Sequence, residues 1–97
     1  MTSEVQVVVR AAAREGQESA LLSVVQQLAE ESRAEDGCLA YHVARGTEDP
    51  REVLLFERWT SLAALEAHAQ APHVGRALTA VMPLLAAPPD RRIYVSA

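Results

Sequence analysis

The sequence predicts an α+β fold in which a four-stranded antiparallel sheet carries its helices on one face. One observation is the order of the segments, which runs strand, helix, strand, strand, helix pair, strand, read from alternating and from helically spaced apolar residues. A second is the absence of internal repeats and linkers. This order is the ferredoxin-like split β-α-β plan, and residues 1–97 are interpreted as a single domain.

The first half of the chain divides into a strand, a helix and a second strand. β-Branched valines alternate along residues 4–10, a pattern that favours a strand. Apolar residues at helical spacing mark an amphipathic helix over 17–33, which Asp36-Gly37 ends. Residues 38–45 alternate again and form the second strand. Its predicted faces are Leu39, Tyr41 and Val43 on one side and Ala40, His42 and Ala44 on the other.

A polar turn at 46–50 predicts a hairpin between the second strand and a third strand over 53–59. The unbroken apolar run at the start of this third strand indicates burial on both faces. Because side chains alternate along a strand, Glu57 and Trp59 are expected on one face and Arg58 on the other.

Two helices and a short strand complete the predicted order. A helix over 61–70 ends before Pro72, which disfavours helical geometry at the preceding residue and suits the start of a new helix. That new helix is expected over 73 to about 86, with Pro83 kinking or ending it. Its expected inward residues are Val74, Leu78, Val81 and Leu85. Alternation at 92–96 predicts the last strand.

Both faces of the predicted sheet are apolar. Val8 lies beside Val7 and Val9 in the first strand, and the third strand carries Leu54 and Phe56 as well as its other apolar residues. Helices on one side can cover only one face, so the second face needs another cover. The simplest cover is a second copy of the chain, which predicts a homodimer packed sheet to sheet.

Composition excludes several classes of function. A net charge of −4 and a pI near 5.3 argue against nucleic acid as a partner, and no apolar run is long enough to span a membrane. The single cysteine, Cys38, excludes an intrachain disulfide and fits a reducing, cytoplasmic location. All nine basic residues are arginine, so Schiff-base catalysis on lysine and lysine anchoring of pyridoxal phosphate are excluded. Motifs for serine hydrolases, phosphate loops, dinucleotides and thioredoxin-like redox are absent as well.

Two histidines, His68 and His73, flank the helix break at Pro72 and are candidates for a general base and acid, since imidazole titrates near neutral pH. The alternative is structural, with His68 at a helix edge and His73 capping the next helix. A metal site is not expected, because the two residues lie five apart across a break and the sequence dictates no third ligand.

Four further residues are candidates for a site. Glu57 is a carboxylate in an apolar strand, which needs a partner when buried and either meets a structural partner or tunes a histidine or a substrate hydroxyl. Trp59 and Tyr41 could wall an aromatic ligand, although core packing is their default role. His42 has two small alanine neighbours that could leave room for a cavity.

The turn Asp36-Gly37-Cys38, the Glu57-Arg58-Trp59 strand end, His68 and Pro72-His73 together resemble the antibiotic biosynthesis monooxygenase family over nearly the whole chain. The resemblance implies a dimeric α/β barrel and a cofactor-independent oxygenase of electron-rich phenols, anthrones or quinols. Haem-degrading relatives use an asparagine, a helical tryptophan and a histidine ligand. This chain has no asparagine, and it has His68 and Leu78 at the latter two positions, so haem degradation is disfavoured.

The leading hypothesis is therefore a monooxygenase that needs no cofactor and oxidises a small aromatic, quinol or polyketide-like substrate with molecular oxygen. His68, His73 and Glu57 are its expected catalytic residues, and Trp59, Tyr41 and His42 are expected to bind the substrate. The alternative is a non-oxidative cyclase, isomerase or ligand-binding protein of a biosynthetic pathway on the same dimeric fold, because fold and lining do not fix the reaction. A purely structural module remains as a third hypothesis.

Overall fold

The computed structural model describes residues 3–97, so the first two residues of the predicted domain lie outside it. The elements are β1 (Val5–Ala12), α1 (Glu18–Arg33), β2 (Cys38–Arg45), β3 (Glu52–Trp59), α2 (Leu62–Ala69), α3 (Pro72–Val81), a 3₁₀ turn (Met82–Leu84) and β4 (Asp90–Val95). The four strands form one antiparallel sheet in the order β2-β3-β1-β4. The predicted ferredoxin-like α+β fold is confirmed.

The helices cover one face of the sheet, and the core lies beneath them. Val7, Leu55 and Trp59 point into this core from β1 and β3, where they meet Leu21 and Val25 of α1. The alternating burial along β3 confirms that Glu57 and Trp59 share the inner face while Arg58 points outward. Among residues 3–97 no helix covers the opposite, outer face, where Val8, Leu54 and Phe56 are only partly buried.

Three predicted boundaries shift for local reasons. β1 continues to Ala12, where Glu52 of β3 still pairs with it. α3 ends at Val81 instead of near residue 86, because Pro83 cannot continue an α-helix and the chain tightens into the 3₁₀ turn. β4 begins at Asp90, two residues earlier than predicted, since Asp90 pairs with Arg10.

The expected position of Leu39 is wrong, and Leu78 is less buried than expected. The register between β2 and β3 shifts between Cys38 and Ala40, so Leu39 is the extra residue of a bulge and is 47% exposed. Cys38 packs against the core instead. Leu78 was expected to point inward, and it faces the space between α3 and the sheet but remains 54% exposed.

Candidate active site

Between the sheet and the helices lies a cavity of about 370 Å³. The sheet contributes its floor, and all three helices contribute its walls. Its lining is Val9, Ala11, Tyr41, Val53, Leu55, Glu57 and Arg91 from the sheet, with Leu21, Val25, Leu28, His68, Ala69, Val74, Ala77, Leu78, Val81, Leu85 and Pro89 from the helices and the segments after them. Most of these side chains are aliphatic, so a ligand would meet an apolar surface interrupted at few points.

The polar groups of the cavity are Tyr41, Glu57, His68 and Arg91. Glu57 and Tyr41 are paired across neighbouring strands, and His68 reaches them from the last turn of α2. The Nε2 atom of His68 lies 4.0 Å from Oε1 of Glu57. A phenol, a carboxyl and an imidazole therefore meet in one place on an otherwise apolar wall.

Glu57 is a buried carboxyl, with 4% of its surface exposed. Its Oε1 atom accepts a hydrogen bond of 2.9 Å from the indole Nε1–H of Trp59. Burial raises the pKa of Glu57, while the Trp59 hydrogen bond and the charges of His68 and Arg91 oppose that rise. Trp59 therefore acts as a partner that holds the carboxyl in place.

Tyr41 presents a phenol that stays neutral. Burial raises the pKa of Tyr41, and the neighbouring negative charge of Glu57 raises it further. The backbone of β2 is fixed at the same residue, because the Arg33 side chain at the end of α1 donates a 2.9 Å hydrogen bond to the Tyr41 carbonyl oxygen. Tyr41 can thus donate a hydrogen bond but does not act as a base.

His68 is 6% exposed and is held from two sides. Its ring lies against the Trp59 indole with centroids 4.5 Å apart. Its Nδ1 atom lies 2.6 Å from Oε2 of Glu35, and the same oxygen lies 2.7 Å from Nε2 of His73. A carboxylate oxygen accepts, so a His68 tautomer that donates from Nδ1 to Glu35 carries its lone pair on Nε2, which lies on the side of Glu57.

Local sequence explains how these groups are held. Ser61 caps α2 by accepting a hydrogen bond from the Ala64 amide, and this fixes the start of the helix that carries His68. Pro72 occupies the first turn of α3 and places His73 there as well. Gly37 has φ +85°, and a β-carbon at that position would lie 2.7 Å from the Ala64 side chain. The turn that carries Glu35 can therefore approach α2 closely.

Three of the six candidate residues from the sequence border the cavity: Tyr41, Glu57 and His68. Trp59 is fully buried behind Glu57 and is not among the residues that line the cavity. His73 lines a separate shallow groove between α1 and α3 and reaches the site only through Glu35. His42 is exposed and pairs with Phe56 on the outer face, away from the cavity.

Sequence reasoning missed Glu35 and Arg91. Glu35 lies 33 residues before His68, in a turn with several other charged residues, and no local pattern marks it as the partner of two histidines. The last strand was predicted over 92–96, so Arg91 was not assigned to the sheet. Its register with Val9 on the inner face shows that it belongs to the cavity wall.

Glu35, His68 and His73 are the residues of the described chain that could hold a metal ion. One potential ligand atom from each lies within 4.8 Å of the others. The sequence argument against a metal site depended on the lack of a third ligand, and the folded chain provides one.

A sequence model described as antibiotic biosynthesis monooxygenase matches residues 5–80, which is most of this chain. The chain belongs to the antibiotic biosynthesis monooxygenase family. The family membership expected from the sequence is thereby confirmed.

Relatives agree with this assignment. Rv0793 of Mycobacterium tuberculosis, whose name gives a provisional assignment as a monooxygenase, is 40% identical over 73 residues, or 75% of this chain and 71% of that protein. Its solved structure has a TM-score of 0.92 and covers 98% of this chain and 96% of that one at 32% identity. An uncharacterised protein of Synechocystis is 33% identical over 75% of this chain and half of its own length.

A protein of Nitrosomonas europaea, whose name assigns it provisionally as an antibiotic biosynthesis monooxygenase, shares the fold at a TM-score of 0.93 with 20% identity, covering 99% of this chain and 92% of that one. Within residues 3–97, every helix is too short or too polar to cross a membrane.

Proposed function

We propose that this family member is a cofactor-independent monooxygenase that oxidises a small aromatic, quinol or polyketide-like substrate with molecular oxygen. The observation that carries the proposal is the orientation of His68. Its Nδ1 atom lies 2.6 Å from Oε2 of Glu35, and its Nε2 atom lies 4.0 Å from Oε1 of Glu57 at an apolar cavity, so a proton on Nδ1 leaves Nε2 free to accept one. This is the arrangement that a base needs to take a proton from a weakly acidic substrate in a nearly dry site.

The reaction balances with oxygen as the sole oxidant. His68 Nε2 takes a proton from an acidic C–H or O–H group, and the resulting carbanion or phenolate gives one electron to O₂. The two radicals then combine to form a carbon–oxygen bond, and the peroxide takes back the proton. Loss of water leaves a new carbonyl, so one oxygen atom enters the product and the other leaves as water.

The other polar residues have defined roles in this proposal. Glu35 accepts from Nδ1–H and stabilises the imidazolium that forms when His68 takes a proton, while His73 holds the far side of Glu35. Tyr41 donates a hydrogen bond to the substrate oxygen, where negative charge develops. His73 is thus a positioning residue in this scheme.

We also infer that two chains pair through the outer faces of their sheets. Val8, Leu54 and Phe56 form the apolar centre of that face, and they are only partly covered in one chain. Arg10 and Arg58 flank this centre and form ion pairs with Glu52 and Glu4. An apolar centre with a charged rim is typical of protein interfaces.

The test is oxygen uptake by the purified protein with a panel of anthrones, quinols and electron-rich phenols. We expect turnover by the wild type and a loss of about 100-fold or more in kcat for His68→Gln, which cannot take up the proton. His42→Ala removes the exposed histidine of the outer face and should leave turnover unchanged.

Two outcomes would contradict the proposal. Full turnover by the His68→Gln variant would remove His68 as the base. Product formed at the same rate without oxygen would favour a non-oxidative cyclase or isomerase in the same cavity.

A further inference from the structure

We propose that Glu35, His68 and His73 form a binding site for a divalent transition-metal ion, with Zn²⁺ as the ion that suits the ligands. The ligands are Oε2 of Glu35, Nδ1 of His68 and Nε2 of His73. Two imidazoles and one carboxylate are a set that zinc takes when a fourth position stays open.

The distances are close to those that a metal site requires. Ligand atoms around a tetrahedral zinc ion with bonds of about 2.0–2.1 Å lie about 3.3 Å apart. In this structure, Oε2 of Glu35 lies 2.6 Å from the His68 nitrogen and 2.7 Å from the His73 nitrogen. The two histidine nitrogens lie within 4.8 Å of each other, so zinc would draw them together while the carboxylate withdraws by less than about 1 Å. Glu35 can do this because it lies in a turn with part of its side chain exposed.

Charge also favours a cation at this position. Glu35 and Glu57 lie on either side of His68, and neither carboxylate forms an ion pair with an arginine among the described residues. Burial keeps bulk water from screening these two carboxylates fully. A divalent ion would replace two hydrogen bonds with direct ligation and would neutralise the local negative charge.

Glu57 completes the arrangement from outside the ligand set. When Nδ1 of neutral His68 binds a metal, its proton moves to Nε2, which lies 4.0 Å from Oε1 of Glu57. Metal-bound histidines commonly donate their second N–H to a carboxylate in this way. Nε2 would then no longer be free to accept a proton, so zinc should inhibit turnover. This last consequence, unlike the site itself, rests on the proposed function.

The test is calorimetric titration of the purified full chain with Zn²⁺, and with Co²⁺ followed by visible absorption. We expect one ion per chain, tetrahedral Co²⁺ bands and a higher Tm with zinc. Loss of a residue that only hydrogen-bonds to a metal ligand typically weakens metal binding by roughly 10- to 100-fold, and we expect an effect of this size for Glu57→Gln. Glu35→Gln and His73→Gln each remove a ligand and should weaken zinc binding by more than that.

Two controls separate this site from other zinc ligands. His42→Ala removes the third histidine and Cys38→Ser removes the only thiol, and both variants should bind zinc as the wild type does. Wild-type protein that binds no zinc would overturn the site. Binding that survives Glu35→Gln and His73→Gln, or that is lost in either control, would also overturn it. Circular dichroism of each variant verifies its fold, and none of these measurements depends on catalysis.

Discussion

A buried carboxyl such as Glu57 destabilises a fold unless a donor compensates for its lost hydration. The indole N–H of Trp59 is such a donor, and both side chains lie on the inner face of β3. The alternation of a strand therefore brings residues 57 and 59 together without help from the rest of the fold. The same carboxyl borders the cavity, so this hydrogen bond bears on both the stability of the fold and the candidate active site.

The contribution of this hydrogen bond can be measured with Trp59→Phe. We expect the free energy of unfolding to fall by about 1.5–3 kcal/mol or more, because a hydrogen bond to a charged group usually contributes an amount in this range. In a Glu57→Gln background the loss should be smaller, since the acceptor is then neutral. Urea denaturation of the four proteins gives the coupling energy, and a value near zero would contradict the pairing.

The phenol of Tyr41 offers a second test at the residue scale. The pKa of Tyr41 is higher in the folded state than in the unfolded state, where it is about 10. The neutral phenol therefore contributes fully to stability below about pH 10, and this contribution is lost as the pH rises through the folded-state pKa. Absorbance near 295 nm at about pH 11 should therefore be the same for wild type and Tyr41→Phe. A larger tyrosinate signal in the folded wild type would show that Tyr41 ionises with its usual ease.

At the scale of elements, the turn at Gly37 decides how closely the end of α1 approaches α2. Gly37→Ala places a β-carbon 2.7 Å from the Ala64 side chain and 2.9 Å from Oγ1 of Thr60, at a positive φ. We expect a loss of about 1–3 kcal/mol in stability, together with weaker alignment of Glu35 and His68. Thermal and urea unfolding measure the first effect.

Gly75 provides the matched control, because a β-carbon there meets nothing within 4 Å and the residue lies inside α3. Gly75→Ala should stabilise the protein by about 0.8–1.0 kcal/mol through helix propensity. Equal effects of the two substitutions would contradict this account of the turn.

The segment before β1 is tied to β3 by the ion pair of Glu4 and Arg58. The Arg58 guanidinium, helped by Gln6, lowers the pKa of Glu4 from 4.5 to about 2. Because the folded pKa is the lower one, the pair stabilises the fold above about pH 4.5 and loses this effect as pH falls towards 2. The stability difference between wild type and Glu4→Gln should shrink over that interval, as measured by urea unfolding at several pH values.

The control is Glu30→Gln, which removes one exposed charge of α1 that forms no ion pair in the described structure. It should change stability little at neutral pH. If Glu4→Gln behaves in the same way, the ion pair does not contribute.

At the scale of the whole molecule, one chain covers one face of its sheet and leaves Phe56 at the centre of the other. In the proposed dimer, Phe56→Glu would bury a charge in an apolar interface. Sedimentation at micromolar concentration should therefore show a shift from dimer to monomer. Met82→Glu adds the same charge at an exposed position on the helical side and should leave association unchanged. A wild-type monomer would contradict the interface.

Local periodicity and motifs within short stretches were enough to predict the element order, the strand faces and the family. The error at Leu39 is local too, since a bulge interrupts the alternation there, and of the two outcomes expected at Pro83 the structure shows the end of the helix. The sequence also identified Glu57 and His68 as candidates, because a carboxyl and a histidine rarely occur next to runs of apolar residues.

The contacts of these residues follow from the packing of distant elements. Glu35 reaches His68 and His73 across turns that no periodic pattern links, so neither this shared carboxylate nor a third potential metal ligand was visible in the sequence. Likewise, the register of the sheet placed Arg91 at the cavity and His42 on the opposite face. Periodicity fixes which way a side chain points, whereas its partners depend on how distant elements pack.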